Sequence, residues 1–138
     1  MQIRTYQSHD RQQVVALWND IFDHPTGRNE PHASIDRKIA IGDDLFFVAV
    51  DGDAIIGTVM AGYDGHRGWL YSVAVAADRR QAGVGTQLVR HAEQALAKLG
   101  CPKINLQVVP ENAKVVAFYE SLGFQIEERI NMGKIVSN

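Results

Sequence analysis

The stretch from Val73 to Val89 constrains this chain more than any other part of it. Val73-Ala74-Val75 is apolar and rich in β-branched residues, Asp78-Arg79-Arg80 is a charged turn, and an amphipathic helical pattern starts after Gly83 and Gly85. A strand, a glycine-bearing turn and a helix N-terminus in succession make an anion site. The first amides of a helix have no intrahelical acceptor, and the helix dipole adds partial positive charge at that end. Gly83 and Gly85 carry no Cβ, so a phosphate can come close to the backbone, and Arg79 and Arg80 stand ready with countercharge. The spacing excludes two other phosphate motifs: Gly-x-x-x-x-Gly-Lys-Ser/Thr is absent, and the third glycine of Gly-x-Gly-x-x-Gly falls on Leu88. The sequence has Arg-x-x-Gly-x-Gly instead, as Arg80-Gln81-Ala82-Gly83-Val84-Gly85.

The rest of the chain supplies elements on both sides of that turn. Gln2–Tyr6 alternates polar and apolar residues and predicts a short strand. Val14, Leu17, Trp18, Ile21 and Phe22 recur at helical spacing behind a cap at Ser8 or Asp10. Pro25, Gly27 and Pro31 break that pattern, so residues 23–34 read as loop, and Ser34 or Asp36 opens a second short helix through Ile35, Ile39 and Ile41 to Gly42. Leu45–Val50 and Ala54–Ala61 predict a hairpin closed at Asp51-Gly52-Asp53, and Trp69–Ala76 a third strand after the turn at residues 62–68. The helix after Gly83 buries Val84, Leu88, Ala92, Ala95, Leu96 and Leu99 and stops at Gly100, with Pro102 beyond. Lys103–Val109 predicts a strand, Asn112 caps a helix through Val115, Val116, Phe118, Tyr119 and Leu122, and Phe124–Ile130 predicts a last strand after Gly123. The order is one strand, two helices, three strands, then helix, strand, helix and strand. This is an α+β fold with a mixed central sheet, expected to form a single domain over residues 1–138.

Composition narrows the partners. A formal net charge of -2 and pI near 6.2 argue against nucleic acid, which needs a basic face. No apolar run approaches a membrane span and the N-terminus lacks a signal-peptide core, so a cytoplasmic location is expected. The lone Cys101, between Gly100 and Pro102, reads as a small semi-buried residue, and His9, His24, His32 and His91 lack metal-ligand spacing, so no metal is expected.

The Arg80–Gly85 signature resembles the acetyl-CoA pyrophosphate motif of the GNAT N-acetyltransferases, Gln/Arg-x-x-Gly-x-Gly/Ala. Asn112, followed by Tyr119 and Gly123-Phe124, is similar to a second motif of that family, and the predicted element order matches the GNAT fold along the whole chain. The Asp64-Gly65-His66-Arg67-Gly68 turn resembles small bacterial members. Two positions depart from the pattern: Ala77 stands where proline is frequent and Gln81 where glycine is frequent.

The resemblance implies an acetyl-CoA cosubstrate whose pantetheine arm pairs with the strand at Val73, Ala74 and Val75. The pyrophosphate would rest on amides of Gln81, Ala82, Gly83, Val84, Gly85 and Thr86, with Arg80 favoured over Arg79 for phosphate contact. It implies acetyl transfer to a primary amine by direct attack in a ternary complex, the acceptor being a small molecule or a peptide. The Val73 N–H is the oxyanion donor in this scheme and Tyr119 the proton donor to the leaving thiolate. Tyr119 also reads as a packed helix aromatic, and Asn112 as either a helix cap or a cofactor contact. Glu30, Asp64, His66 and Tyr71 are the candidates for substrate contact or for the base that an ammonium acceptor needs; Asp64 and His66 equally suit turn chemistry. The helix–loop–helix region before Gly42 is where acceptor specificity is expected. A catalytically inactive acyl-CoA-binding regulatory module is the main alternative, and a module for another phosphorylated ligand a third. Monomer and homodimer both remain open.

Overall fold

A computed structural model describes residues 1–137. The chain divides into two compact units, Met1–Leu106 and the segment from Gln107 onward.

The first unit holds a five-stranded sheet in the order β1-β2-β3-β4-β5, formed by β1 (Gln2–Thr5), β2 (Phe46–Asp51), β3 (Ala54–Tyr63), β4 (Gly68–Val75) and β5 (Ile104–Asn105). The pairings are antiparallel until β4 meets β5, which is parallel, so the sheet is mixed as expected. α1 (Arg11–Ile21) and α2 (Pro31–Ile41) contribute Val14, Leu17, Trp18 and Ile35 to a core with Phe46, Val48, Ile55, Met60 and Ala74. The alternate residues of β2 and β3 face the other way, towards α3 (Val84–Lys98). Phe47 meets His91 edge-on at 4.6 Å, and a Cβ on Gly57 would stand 2.8 Å from Leu88 Cδ1. Period-two alternation thus puts one helix layer on each face of the sheet.

Three sequence expectations need correction. Pro31 does not break a helix; it starts α2, three residues before Ser34, with the Glu30 carboxylate accepting from His32 N at 2.9 Å and Ala33 N at 3.1 Å. Proline lacks only an N–H that the first helical turn leaves unpaired anyway. The strand expected over Lys103–Val109 is two residues long, Ile104 against Gly68 and Asn105 against Trp69. The ladder ends just ahead of a bulge in β4, and bulges commonly terminate pairing.

In the second unit, α4 (Ala113–Ser121) follows Asn112, but Phe124–Ile130 forms no strand. Glu128 interrupts the alternation of Phe124, Ile126 and Ile130, and Ile126 and Ile130 are exposed. A strand needs a hydrogen-bonded ladder as well as an alternating pattern. Among the described residues, no helix is long and apolar enough to cross a membrane.

Candidate active site

The first unit carries the strand and turn that the sequence singled out. Along β4, Tyr71 is registered with Met60 but Ala74 with Thr58, so Val59 faces both Ser72 and Val73. The extra residue is taken up at Ser72, whose φ is +52°. A residue with a Cβ pays about 1–2 kcal/mol for that conformation, so it persists only where the surroundings hold it. They do: the Thr58 hydroxyl donates to Ser72 O at 2.9 Å, and Trp18 Nε1 donates to Thr58 Oγ1 at 2.9 Å, with Thr58 wholly buried.

Past the bulge, the Ala76 N–H donates to Ile56 O at 2.9 Å. Alternate amides of an antiparallel strand face the same neighbour, so Ala74 and Ala76 turn to β3 while Val73 and Val75 turn to the other edge. Among the described residues, no strand pairs with β4 on that edge beyond Trp69. The backbone groups of Val73 and Val75 are therefore aimed at an edge with no partner strand.

β4 runs directly into the glycine turn. A 3-10 turn at Ala77–Arg79 leads to Gln81 at φ +67° and Gly83 at φ +82°, and α3 begins at Val84. Gln81 adopts the left-handed conformation for which glycine is the ordinary choice, so this departure falls where glycine would be unstrained. At Gly83 the positive φ selects glycine rather than crowding, since an added Cβ would meet only Gln87 Nε2 at 3.9 Å. Val84, Gly85 and Thr86 open the helix, so their amides lack acceptors four residues back. Residues 80–83 are exposed, while Gly85 and Thr86 are half-buried and Val84 is buried. The two arginines separate: Arg79 is ion-paired with Asp51, which holds its pKa up, while Arg80 is exposed and makes no ion pair among the described residues.

The substrate candidates lie on different elements. Tyr71, on β4 one residue before the bulge, is 41% exposed, with the ammonium of Lys38 5.6 Å from its ring centroid. Lys38 escaped the sequence reading: it sits on α2 with its side chain 4% exposed, donates to Asp43 Oδ2 at 2.9 Å and also to Ala61 O. Glu30 is committed to capping α2, and hydrogen bonds from His32 and Ala33 amides keep its carboxyl below the usual range. Asp64 Oδ1 accepts from the Arg67 and His66 amides, each at 2.7 Å, and those bonds hold its pKa down in the same way. A carboxylate so engaged is a turn element and a weak proton acceptor. The exposed His66 adds its amide to that turn.

In the second unit, Asn112 precedes α4, but its side chain makes no capping hydrogen bond. The Tyr119 ring lies edge-on to Phe118 at 5.0 Å and to Phe124 at 5.6 Å. Burial pushes its phenol up to about 12, so it stays protonated throughout the neutral range. Among the described residues, no group of three or more His, Cys, Asp or Glu side chains could hold a metal ion.

Comparison with known proteins gives a consistent result. The family model described as Acetyltransferase (GNAT) family matches residues 12–124. An acetyltransferase of Yersinia enterocolitica is 39% identical over 134 residues, covering 97% of this chain and 94% of the relative. Among solved structures, a transcriptional regulator from Bacillus halodurans superposes with a TM-score of 0.79 at 24% identity, covering 96% of this chain and 99% of that one. The aminoglycoside N-acetyltransferase AAC(6')-Iy in complex with CoA gives a TM-score of 0.74 at 21% identity, with 97% and 93% covered. At those identities the structures speak for the fold alone. The family match and the Yersinia relative show that the chain belongs to the GNAT acetyltransferase family.

Proposed function

We propose that this chain takes acetyl-CoA as acyl donor and transfers the acetyl group to a primary amine, on a small molecule or a peptide, by direct attack in a ternary complex. One observation carries the reading. The β4 edge at Val73 and Val75, which pairs with no strand among the described residues, continues without a break into the left-handed turn and the first-turn amides of α3. An extended amide-bearing arm suits the first part and a pyrophosphate the second. Arg80, unlike Arg79, is available to a phosphate.

The chemistry then falls to three groups. Val73 N–H donates to the thioester oxygen as negative charge develops on it, which lowers the barrier without any side-chain rearrangement. Tyr119 supplies a hydrogen bond and finally a proton to the departing sulfur. With the phenol at about 12 against a thiol reference near 8.5, complete transfer costs roughly 5 kcal/mol. Stabilising the thiolate by hydrogen bonding is therefore the larger part of its role. The acceptor must arrive neutral, and with Asp64 and Glu30 held as turn and cap carboxylates, a water relay beside Tyr71 is the better base. Residues 22–42, bearing Lys38 against Tyr71, would shape the acceptor side.

Thiol release from acetyl-CoA, measured over a panel of primary amines, tests this. Amine-dependent release that falls at least tenfold in Tyr119→Phe, with acetyl-CoA binding unchanged, is expected. Full activity in Tyr119→Phe would move the acid elsewhere. Binding without turnover on any amine would favour a regulatory module.

A further inference from the structure

We propose that Trp18 and Thr58 are positioning residues: together they clamp the peptide plane whose N–H is the oxyanion donor. The inference rests on the acetyl-transfer reading for its catalytic consequence, but the geometry stands apart from it. Ser72 C=O and Val73 N–H belong to one peptide group. Because that group is planar and trans, its oxygen and its hydrogen point in opposite directions. The Thr58 hydroxyl holds Ser72 O at 2.9 Å on the β3 side, so the Val73 N–H is driven outward to the open edge of β4. The plane would otherwise be free to turn, since Ser72 at φ +52° is a non-glycine residue in a sparsely populated region.

The hydroxyl is itself oriented. Thr58 is completely buried, and Trp18 Nε1 donates to its oxygen at 2.9 Å, which leaves the hydroxyl proton to point at Ser72 O. Trp18 is fixed in turn by stacking on Phe46, with centroids 5.8 Å apart. The result is a chain of hydrogen bonds, indole N–H to hydroxyl to carbonyl, whose final acceptor lies across one amide from the open edge. Each bond polarises the next, so the Val73 N–H is both aimed and made a stronger donor. A buried threonine in an otherwise apolar strand facing an indole is more than packing requires: a valine would fill the same space.

Thr58→Val, Thr58→Ser and Trp18→Phe, made in the full chain, test the relay. In Thr58→Val we expect kcat to fall about tenfold, with KM for acetyl-CoA within twofold of wild type. Thr58→Ser should restore kcat to within threefold, and Trp18→Phe should lose about threefold. Unchanged kcat in Thr58→Val overturns the proposal. So does a loss of kcat that tracks the fall in Tm and is not rescued by serine, because that pattern describes support of the fold alone. If Thr58→Val does not fold, the kcat of Trp18→Phe decides by the same criterion. If wild type binds no acetyl-CoA, the acetyl-transfer reading fails, and the Val73 amide resonance judges the relay by itself. Exchange broadening or doubling of that resonance in the Thr58→Val or Trp18→Phe protein, absent in Thr58→Ser, supports the clamp; an unchanged resonance overturns it.

Discussion

Replacing Gly57 by alanine sets two physical rules against each other, and the structure decides the sign. Glycine inside a strand costs roughly 0.5–1 kcal/mol relative to alanine through backbone entropy, so alanine should stabilise wherever there is room. At Gly57 there is none. A Cβ would lie 2.8 Å from Leu88 Cδ1, 3.0 Å from Ala74 O and 3.3 Å from Val84 Cγ1. Leu88 is fully buried and cannot swing away, and Ala74 O is backbone of the neighbouring strand. Relief requires the start of α3 to lift from the sheet by several tenths of an ångström. Overpacking of this kind costs about 1–3 kcal/mol, so the net expectation is destabilisation by about 1–2 kcal/mol. For a chain of this size that lowers Tm by roughly 3–10 °C. Val84 is the first residue of the helix whose amides face the proposed pyrophosphate, so acetyl-CoA affinity should drop with stability. Thermal unfolding by circular dichroism, with and without acetyl-CoA, measures both. A Gly57→Ala protein that melts at or above the wild-type temperature would refute the close packing of α3 on β3 and the helix placement derived from it.

Other outcomes follow from individual groups. Because burial raises the Tyr119 phenol from its ordinary value near 10 to about 12, the folded state binds its proton more tightly than the unfolded state. About 2–3 kcal/mol of stability should therefore be lost as pH rises from about 10 to about 12, in urea titrations of wild type but not of Tyr119→Phe. Asp10 shifts the other way: burial would raise its pKa, but the paired Arg4 guanidinium and the Gln7 amide outweigh that and hold it low. Its contribution is present at neutral pH and lost as pH falls through that depressed value, and Asp10→Asn should cost about 1–2 kcal/mol in urea unfolding by weakening the charge-assisted bonds to Arg4. Arg80→Ala should weaken acetyl-CoA binding at least tenfold in a calorimetric titration, whereas Arg79→Ala, which loses a half-exposed pair with Asp51, should leave it within about threefold.

Much of the fold was legible because the chain states it in periodicity. The apolar spacing of Val14, Leu17 and Trp18, the Asp51-Gly52-Asp53 turn and the restart at Gly83 each name an element that the structure contains. What escaped was set by partners distant in sequence. Pro31 reads as a breaker until its position as the first residue of α2, behind the Glu30 cap, is known. Phe124–Ile130 carries a weak alternation, but no local signal reveals whether a neighbour will complete a ladder. Ser72 has no left-handed preference of its own; Thr58 and Trp18, from β3 and α1, hold its carbonyl in place. A signal did exist, since Thr58 is the lone hydroxyl in the apolar run from Ala54 to Ala61. Gln81 was legible only as a departure, and the positive φ at that position gives the departure its meaning.

The most direct test of the account is a calorimetric titration of the wild-type chain with acetyl-CoA, with CoA and ATP run in parallel. Saturable one-to-one binding of acetyl-CoA and CoA, with ATP much weaker, is the predicted result, because only the CoA species carry the arm that the Val73–Val75 edge is proposed to hold. Heat-silent titrations with both CoA species, or ATP binding as tightly as they do, would contradict the reading of the glycine turn on which the rest depends.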